Sequence, residues 1–173
     1  MTLFRPATTL MVQYAHYHRD RRNIVTHLLG IPLIVLSIGV LLLGPAWSVA
    51  GHTLTLAWAM WALTSLWYLS RGDLLLGVAT SVVNGVLIAV AHEVPPLAQA
   101  LGLAVWQAGL ALFFIGWLIQ FIGHYFEGRK PAFVDDLVGL LVGPMFVVGE
   151  VLMWAGLLQR MHMDIERQAG ATR

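Results

Sequence analysis

Uninterrupted apolar runs constrain the fold of this chain more than any other feature. Four of them predict helices that cross a membrane: Leu28–Trp47, Leu54–Leu69, Leu74–Ala91 and Leu101–Ile122. A bilayer core of ~30 Å requires about 20 mostly apolar residues in a helix. Helices and closed barrels are the structures that span membranes, and barrel strands alternate apolar with polar residues, which these runs do not. The chain is therefore predicted to be an all-α, polytopic integral membrane bundle.

The composition supports a membrane location and limits the partners. Hydrophobic residues make up 58% and charged residues 11% of the 173 residues, whereas a soluble domain carries about 25% charged residues. The length suits a single membrane-embedded domain over residues 1–173. A net charge of +1 gives little attraction to nucleic acid, so the expected partner is membrane lipid and not nucleic acid. The absence of cysteine excludes thiolate metal sites.

A fifth apolar segment, Leu137–Leu158, is long enough to cross but contains Pro144 and Glu150. Lys and Arg occur before the first run, in the second and fourth loops and in the tail, while the first and third loops have none. Because cytoplasmic loops carry the excess of Lys and Arg, the N-terminus is predicted to be cytoplasmic. If the fifth segment is re-entrant or buried without crossing, both termini and every Lys and Arg are cytoplasmic. We therefore favour four spans plus a re-entrant or peripheral fifth segment over five spans.

Two polar segments fall at this cytoplasmic face, Tyr14–Pro32 and Gln120–Leu137. Imidazole is the commonest metal-binding side chain, and histidines beside a carboxylate suit non-haem Fe(II). The excess of Arg over Lys, with many Ala, Leu and Gly residues, suggests a bacterial gene and so an inner membrane. The two segments predict a site built from a shared set of side chains: His16, His18, His27, His124, Asn23, Glu127, Asp135 and Asp136.

Helix geometry leaves two interpretations of the first segment open. At ~100° per residue, His16 and His27 share one stripe of a helix, while His18 and His27 fall on opposite faces. If His18 and His27 share a metal, the helix must break between them, and Asp20 is a suitable N-cap for a helix that starts near Arg21. One continuous helix would bring His16 to the site instead.

The second segment is simpler. His124 and Glu127 are three residues apart and share a helix face, and Gly128 is expected to end that helix soon afterwards. Glu150, inside the fifth apolar run, requires a buried partner, and an Arg or His of the site is the natural one. His52 and His92 fall at the opposite membrane face.

The two polar segments also resemble the signatures of a known family. YHRDRRNIVTHLLGIP has a His, an Asn five residues on, a His four further and then Gly-x-Pro. QFIGHYFEGRKPAFVDDLVGLLVGPMFVVGEVL has Gly-His, Glu-Gly with two basic residues and Pro, Asp-x-Leu, Gly-Pro and a late Glu. The chain is similar over essentially its whole length to the 2-hydroxy-palmitic acid dioxygenase family of small membrane proteins.

The resemblance implies an Fe(II)-dependent dioxygenase that uses O₂ to convert a long-chain 2-hydroxy fatty acid to the acid one carbon shorter. A 2-hydroxy acid chelates a metal through its carboxylate and hydroxyl, so three protein ligands would leave a position for O₂. The residues that match the family motifs are His18, Asn23, His27, His124, Glu127, Pro131, Asp135 and Glu150. His16 and His52 do not match the motifs, and His92 matches only loosely.

These arguments assign roles to the site residues. The predicted metal ligands are His18, His27 and His124, with Glu127 as a fourth ligand or as an acid/base beside the metal. Asn23, Glu127 and Asp135 are the predicted catalytic residues, and Arg129 or Lys130 would pair with the substrate carboxylate.

Three other functions fit the sequence. His27 and His124 could be axial ligands of a haem, or the residues could hold zinc or two metals. The chain could also be a non-enzymatic scaffold or transporter subunit, in which the interfacial histidines are only hydrogen-bonded and the arginines contact lipid headgroups.

Overall fold

A computed structural model describes residues 3–44, 46–49, 52–129 and 138–173, and the fold is all-α apart from one short hairpin. The side chains of Val49 and His52 are outside the description. The elements in chain order are α1 (Ala7–Ala15), α2 (Arg21–Leu41), β1 (Ala46–Val49), β2 (His52–Thr55), α3 (Leu56–Leu69), α4 (Leu74–Ala91), α5 (Val94–Ala100), α6 (Val105–Glu127), α7 (Val138–Trp154) and α8 (Gln159–Ala169).

Among the described residues, three helical stretches are long and apolar enough to cross a membrane: Arg21–Leu41, Leu74–Ala100 and Val105–Glu127. Helices α7 and α8 together are also long and apolar enough to cross, but they are bent by 113° relative to each other. They therefore form either a broken span or a re-entrant loop. Helix α3 has 14 residues, fewer than the about 20 that a bilayer core requires. The predicted all-α membrane fold is confirmed, and α3 is shorter as a helix than a full span.

The first predicted span ends earlier than expected. Helix α2 stops at Leu41, and Trp47 lies in a two-stranded antiparallel hairpin in which Ala46 is opposite Thr55. The strand sequences AWSV and HTLT contain β-branched and aromatic residues, which fit a pleated strand better than their neighbours in the apolar run do. Apolarity alone did not distinguish these strand residues from the end of the helix.

The fifth apolar segment forms the centre of the bundle. Every residue from Val142 to Glu150 in α7 is buried, and this helix packs against α1, α2 and α4. A helix that is apolar on all sides is either a membrane span or part of a buried core, and three other helices pack around α7. The chain then bends through Gly156, which has a positive φ of 81°, before α8 begins. This segment is therefore a core element of the bundle, and the expectation that it does not cross the membrane stays a prediction.

Helices α2 and α6 make the most extensive helix pair and cross at glycines. A Cβ atom added to Gly30 would lie 2.8 Å from the Gly116 carbonyl oxygen, and one added to Gly116 would lie 2.9 Å from the Gly30 carbonyl oxygen. Small residues allow membrane helices to approach this closely. The crossing brings the start of α2 next to the end of α6, where the two polar segments lie.

Candidate metal centre

Three histidines from separate parts of the chain meet inside the bundle. His18 lies between α1 and α2, His27 in the second turn of α2, and His124 in the last turn of α6. All three are buried, and one nitrogen of each lies within 4.8 Å of the others. The predicted ligand group His18, His27 and His124 is thus brought together by the fold, in the part of the chain that the structure describes.

The position of His18 depends on a break between two helices. Helix α1 ends at Ala15, and α2 begins at Arg21, with the Asp20 side chain accepting a 2.9 Å hydrogen bond from the Arg22 backbone N–H. The pKa of Asp20 is lowered to about 2, chiefly by its hydrogen bonds from the Arg22 side chain. The predicted break with an Asp20 cap is confirmed. His16 is exposed and outside the histidine group, so the continuous-helix interpretation is wrong.

The hydrogen bonds of His18 and His27 determine which ring nitrogen is free. Nδ1 of His18 donates to the Tyr14 carbonyl at 2.8 Å, and Nδ1 of His27 donates to the Asn23 carbonyl at 2.9 Å. A carbonyl oxygen only accepts, so each Nδ1 carries the proton and each Nε2 presents a lone pair when the ring is neutral. The two Nε2 atoms lie 3.0 Å apart. Two facing lone pairs repel each other unless a cation lies beside them.

The group fits a metal ion in three further ways. Metal-binding histidines usually donate their second nitrogen to a carbonyl or carboxylate, as His18 and His27 do. Nδ1 of His124 is buried and has no hydrogen-bond partner within the described ranges. Burial lowers the pKa of His18 well below its ordinary value, and the adjacent His27 lowers it further. His18 is therefore neutral at neutral pH, which is the form that binds metals.

Aromatic rings hold the His18 imidazole and exclude water from it. Tyr14 stacks on His18 with a centroid distance of 4.2 Å and an interplanar angle of 1°. Phe146 of α7 lies 5.3 Å from the His18 ring and 4.9 Å from Tyr14. Burial raises the pKa of the Tyr14 hydroxyl, so this ring stays neutral. The side of the site nearest α7 is therefore apolar and rigid.

Glu127 lies behind the histidines. Its Oε2 accepts hydrogen bonds from the Arg19 backbone N–H at 2.9 Å, the Asp20 backbone N–H at 2.7 Å and the Asn23 amide at 3.1 Å. Its Oε1 lies 3.4 Å from the Arg173 guanidinium. These contacts connect the end of α6 to the segment that carries His18. Helix α6 ends at Glu127 because Gly128 adopts a left-handed conformation, as predicted.

Arg19 connects the same segment to the centre of the bundle. Its guanidinium lies 3.6 Å from the Glu150 carboxylate of α7, and both side chains are buried. The expectation that Glu150 has an Arg or His partner is confirmed. The backbone of Arg19 is paired as well, because its carbonyl accepts a 2.8 Å hydrogen bond from the Arg173 N–H. Burial lowers the pKa of Arg19, an effect that Glu150 and Glu127 oppose.

The side chains of the other predicted residues have partners outside the histidine rings. Asn23 donates to the Tyr17 carbonyl at 3.1 Å as well as to Glu127. Arg129 is exposed and donates to the His16 carbonyl. Lys130, Pro131 and Asp135 are outside the described residues, so the roles assigned to Lys130 and Asp135 stay predictions.

A cavity of about 150 Å³ extends from His124 between α2, α6 and α7. Tyr14 and Gln120 line its end near the histidines, and Ile38 and Phe113 line its far end. Sequence reasoning did not identify Tyr14 or Gln120. Gln120 lies four residues before His124 on α6, which is the spacing of neighbours on one helix face, and this signal was available. Tyr14 precedes His18 by the same number, but α1 ends between them, so helix spacing does not relate the two.

The chain is similar to known proteins along most of its length. The sequence profile of the family described as 2-hydroxy-palmitic acid dioxygenase Mpo1-like matches residues 4–154. The chain belongs to this family. It is 32% identical over 156 residues to the 2-hydroxy-palmitic acid dioxygenase MPO1 of Saccharomyces cerevisiae, a match that covers 88% of this chain and 83% of the yeast protein. No solved structure matches. In this Mpo1-like chain, the matched residues include all three histidines, Glu127 and Glu150, while α8 follows them.

Proposed function

We propose that this protein is an Fe(II)-dependent dioxygenase that converts a long-chain 2-hydroxy fatty acid to the acid one carbon shorter. The observation that supports this most directly is the pair of His18 and His27 Nε2 atoms, 3.0 Å apart, with His124 beside them. Three nitrogen ligands without thiolates suit Fe(II), although they also suit other divalent metals. The family name supplies the substrate class, a 2-hydroxy acid, and the reaction type.

The reaction balances without another reductant. The bond between C1 and C2 breaks, C2 becomes the new carboxyl carbon, and C1 leaves as CO₂ together with one water. The substrate gives up four electrons, which is the number that one O₂ accepts. Bound Fe(II) would activate O₂ and hold the 2-hydroxy acid through its carboxylate and hydroxyl. The protein then needs to position the histidines, exclude water and accommodate the acyl chain.

The residues around the histidines serve these requirements. The carbonyls of Tyr14 and Asn23 keep His18 and His27 in the tautomer whose Nε2 is free. Tyr14 and Phe146 keep water from the His18 ring. Because Oε2 of Glu127 accepts three hydrogen bonds, this carboxylate acts as a positioning residue for the His18 segment. The predicted alternatives, a fourth ligand or an acid/base, would use Oε1, which lies 3.4 Å from the Arg173 guanidinium.

A haem function fits the geometry less well. The ring centroids of His27 and His124 are 4.9 Å apart, and His18 lies 4.4 Å from one and 5.0 Å from the other. A porphyrin between His27 and His124 would have to displace His18. Purified protein should accordingly show no Soret band.

The proposed location is a bacterial inner membrane with the site at the cytoplasmic face. The backbone bonds of Arg173 to Arg19 and Arg21 put the C-terminal residues at the same end of the bundle as His18. Both termini are therefore expected in the cytoplasm. A C-terminal reporter that is active only outside the inner membrane would contradict this arrangement.

The direct test measures products by mass spectrometry. Protein loaded with Fe(II) is supplied with O₂ and either 2-hydroxypalmitate or palmitate, and a matched sample is first treated with a chelator. We expect the shortened acid from the 2-hydroxy substrate alone, because only this substrate forms the chelate that positions it. Equal turnover of both acids, or full activity after removal of iron, would refute the proposal.

A further inference from the structure

Two cavities in the bundle share a wall. The first begins at His124, as described above, and the second, of about 200 Å³, lies between α2, α3, α4 and α7. Val35 and Ile38 of α2 and Leu140 and Pro144 of α7 line both cavities. The second cavity therefore adjoins the cavity that begins at the histidines, although its other walls are formed by helices that carry none of the three.

The distance from His27 to the wall that the two cavities share matches the length of a lipid tail. Val35 and Ile38 follow His27 by eight and eleven residues in α2, which is about 12 to 16 Å along a helix. Each leaflet of a bilayer contributes half of the ~30 Å hydrocarbon core. A hydrocarbon tail that starts at the histidines and follows α2 would thus reach the second cavity near the end of an ordinary acyl chain.

The polar groups around the second cavity are engaged with the protein. Tyr68 Oη donates to the Leu141 carbonyl at 3.0 Å, and the Asn84 side chain hydrogen-bonds to Tyr68. Trp61 Nε1 donates to the Ser81 carbonyl at 2.8 Å, and Thr64 Oγ1 donates to the Met60 carbonyl at 3.0 Å. With these donors engaged, the cavity offers mainly carbon surface to a ligand, which suits a hydrocarbon chain.

Resting on the proposed function, we infer that the two cavities form one acyl-chain channel and that the second cavity sets the longest chain accepted. Its occupant is the distal end of the hydrocarbon tail of the 2-hydroxy acid. Trp61 forms a firm part of its wall, because a Cβ atom on Gly85 would lie 2.9 Å from the indole nitrogen. Side chains that face this cavity therefore determine chain length, and the histidine end determines the head group.

The test fills the second cavity and compares chain lengths. Thr64→Trp places a large ring at the cavity, and the matched control Leu63→Trp places the same ring at the preceding residue, whose side chain is 65% exposed on the outside of α3. For saturated 2-hydroxy acids of increasing length, kcat/KM of Thr64→Trp should fall about fourfold for each methylene that no longer fits. The shortest acids and the Leu63→Trp control should behave as the wild type. Equal loss at every length would overturn the channel.

A second measurement separates this inference from the reaction. Wild-type protein is photolabelled with 2-hydroxy acids that carry a diazirine at the tail end, and the labelled peptides are mapped. Long acids should label α3 and α4 around Thr64 and Ile88, and shorter ones should label α6 around Phe113 and Trp117. This pattern without any turnover would uphold the channel while refuting the proposed reaction. Labels confined to lipid-facing residues such as Leu118 would overturn the channel whatever the activity.

Discussion

The two ends of the bundle both contain buried or half-buried histidine, and they use it differently. At one end, His18 and His27 donate Nδ1 to the carbonyl four residues earlier and present Nε2 to each other. At the other end, His92 makes the same bond from Nδ1 to the Ile88 carbonyl, but its Nε2 lies 3.2 Å from the Thr55 hydroxyl. The two ends therefore differ only in the partner of Nε2. A histidine whose two nitrogens both have hydrogen-bonding partners of another kind is structural, whereas the facing Nε2 atoms are arranged to hold a metal ion together with His124.

The largest expected effect comes from removing a member of the histidine group. His27→Ala, and likewise His18→Ala or His124→Ala, should lower bound iron and turnover to background, because only two of the three nitrogens remain. Elemental analysis of purified protein and product mass spectrometry measure the two losses. His92→Ala and His52→Ala are the controls and should retain iron. Wild-type iron content in both His27→Ala and His124→Ala would remove the basis for the metal centre.

Loss of Glu127 should have the next largest effect. Glu127→Ala leaves the backbone N–H groups of Arg19 and Asp20 without their acceptor, so the His18 segment loses its attachment to α6. Removing such a supporting partner lowers metal affinity about 10- to 100-fold. Titration with a competing chelator measures this change. Glu127→Gln should recover part of the affinity, since an amide oxygen can still accept. If Glu127→Ala binds iron normally but does not turn over, the carboxylate is instead an acid/base, as the sequence suggested.

A third change acts at the crossing of α2 and α6. The methyl group added by Gly116→Ala would lie 2.9 Å from the Gly30 carbonyl oxygen, which is too close for an unstrained contact. Overpacking of this kind costs about 1–3 kcal/mol, and separation of the two helices should also weaken iron binding. Gly44→Ala is the control, because a Cβ atom there meets nothing within 4 Å. Thermal unfolding in detergent compares the two variants. Equal unfolding temperatures for both would show that the crossing tolerates a wider separation.

The smallest effect is expected at the opposite end of the bundle. His92→Ala removes hydrogen bonds to the Thr55 hydroxyl and the Ile88 carbonyl, together with a ring stacked on Trp58 at 5.6 Å. A hydrogen bond typically contributes about 1 kcal/mol to stability. The variant should therefore unfold slightly earlier while its iron content and kcat/KM stay at wild-type values. A large loss of activity would mean that the His92 end of the bundle is coupled to the histidine group at the other end.

Local signals in the sequence accounted for the helix break before α2 and for the partner of Glu150. Asp20 precedes the helix and accepts from Arg22, so its capping role depends on neighbours in the chain. A carboxylate in an apolar run requires a partner wherever the run lies, and Arg19 supplies it. Both inferences needed only a residue, its neighbours and the cost of burial.

Features that depend on strand pairing or on contacts between distant parts of the chain could not be predicted in this way. The hairpin at Ala46–Thr55 looks like the end of a span because strands and helices share apolar residues. The spacing of Glu127 to His124 predicts that both face the site, but it does not predict that Oε2 of Glu127 accepts hydrogen bonds from backbone groups of Arg19 and Asp20, more than a hundred residues earlier. Nothing local to Glu127 indicates that these N–H groups will lie beside it.

The separation of the histidines along the chain has a consequence for biogenesis. His18 and His27 enter the membrane region with the first long helix, but His124 follows only after α3, α4 and α5 have been synthesised. The ion can therefore be captured by all three only after α6 has been inserted. A ligand that binds the folded state alone stabilises it by about 2.7 kcal/mol at a hundredfold excess over its Kd. With Fe(II) as the proposed ion, newly inserted copies in a cell short of iron would lack this stabilisation and be degraded sooner, so the abundance of the protein would follow the iron supply.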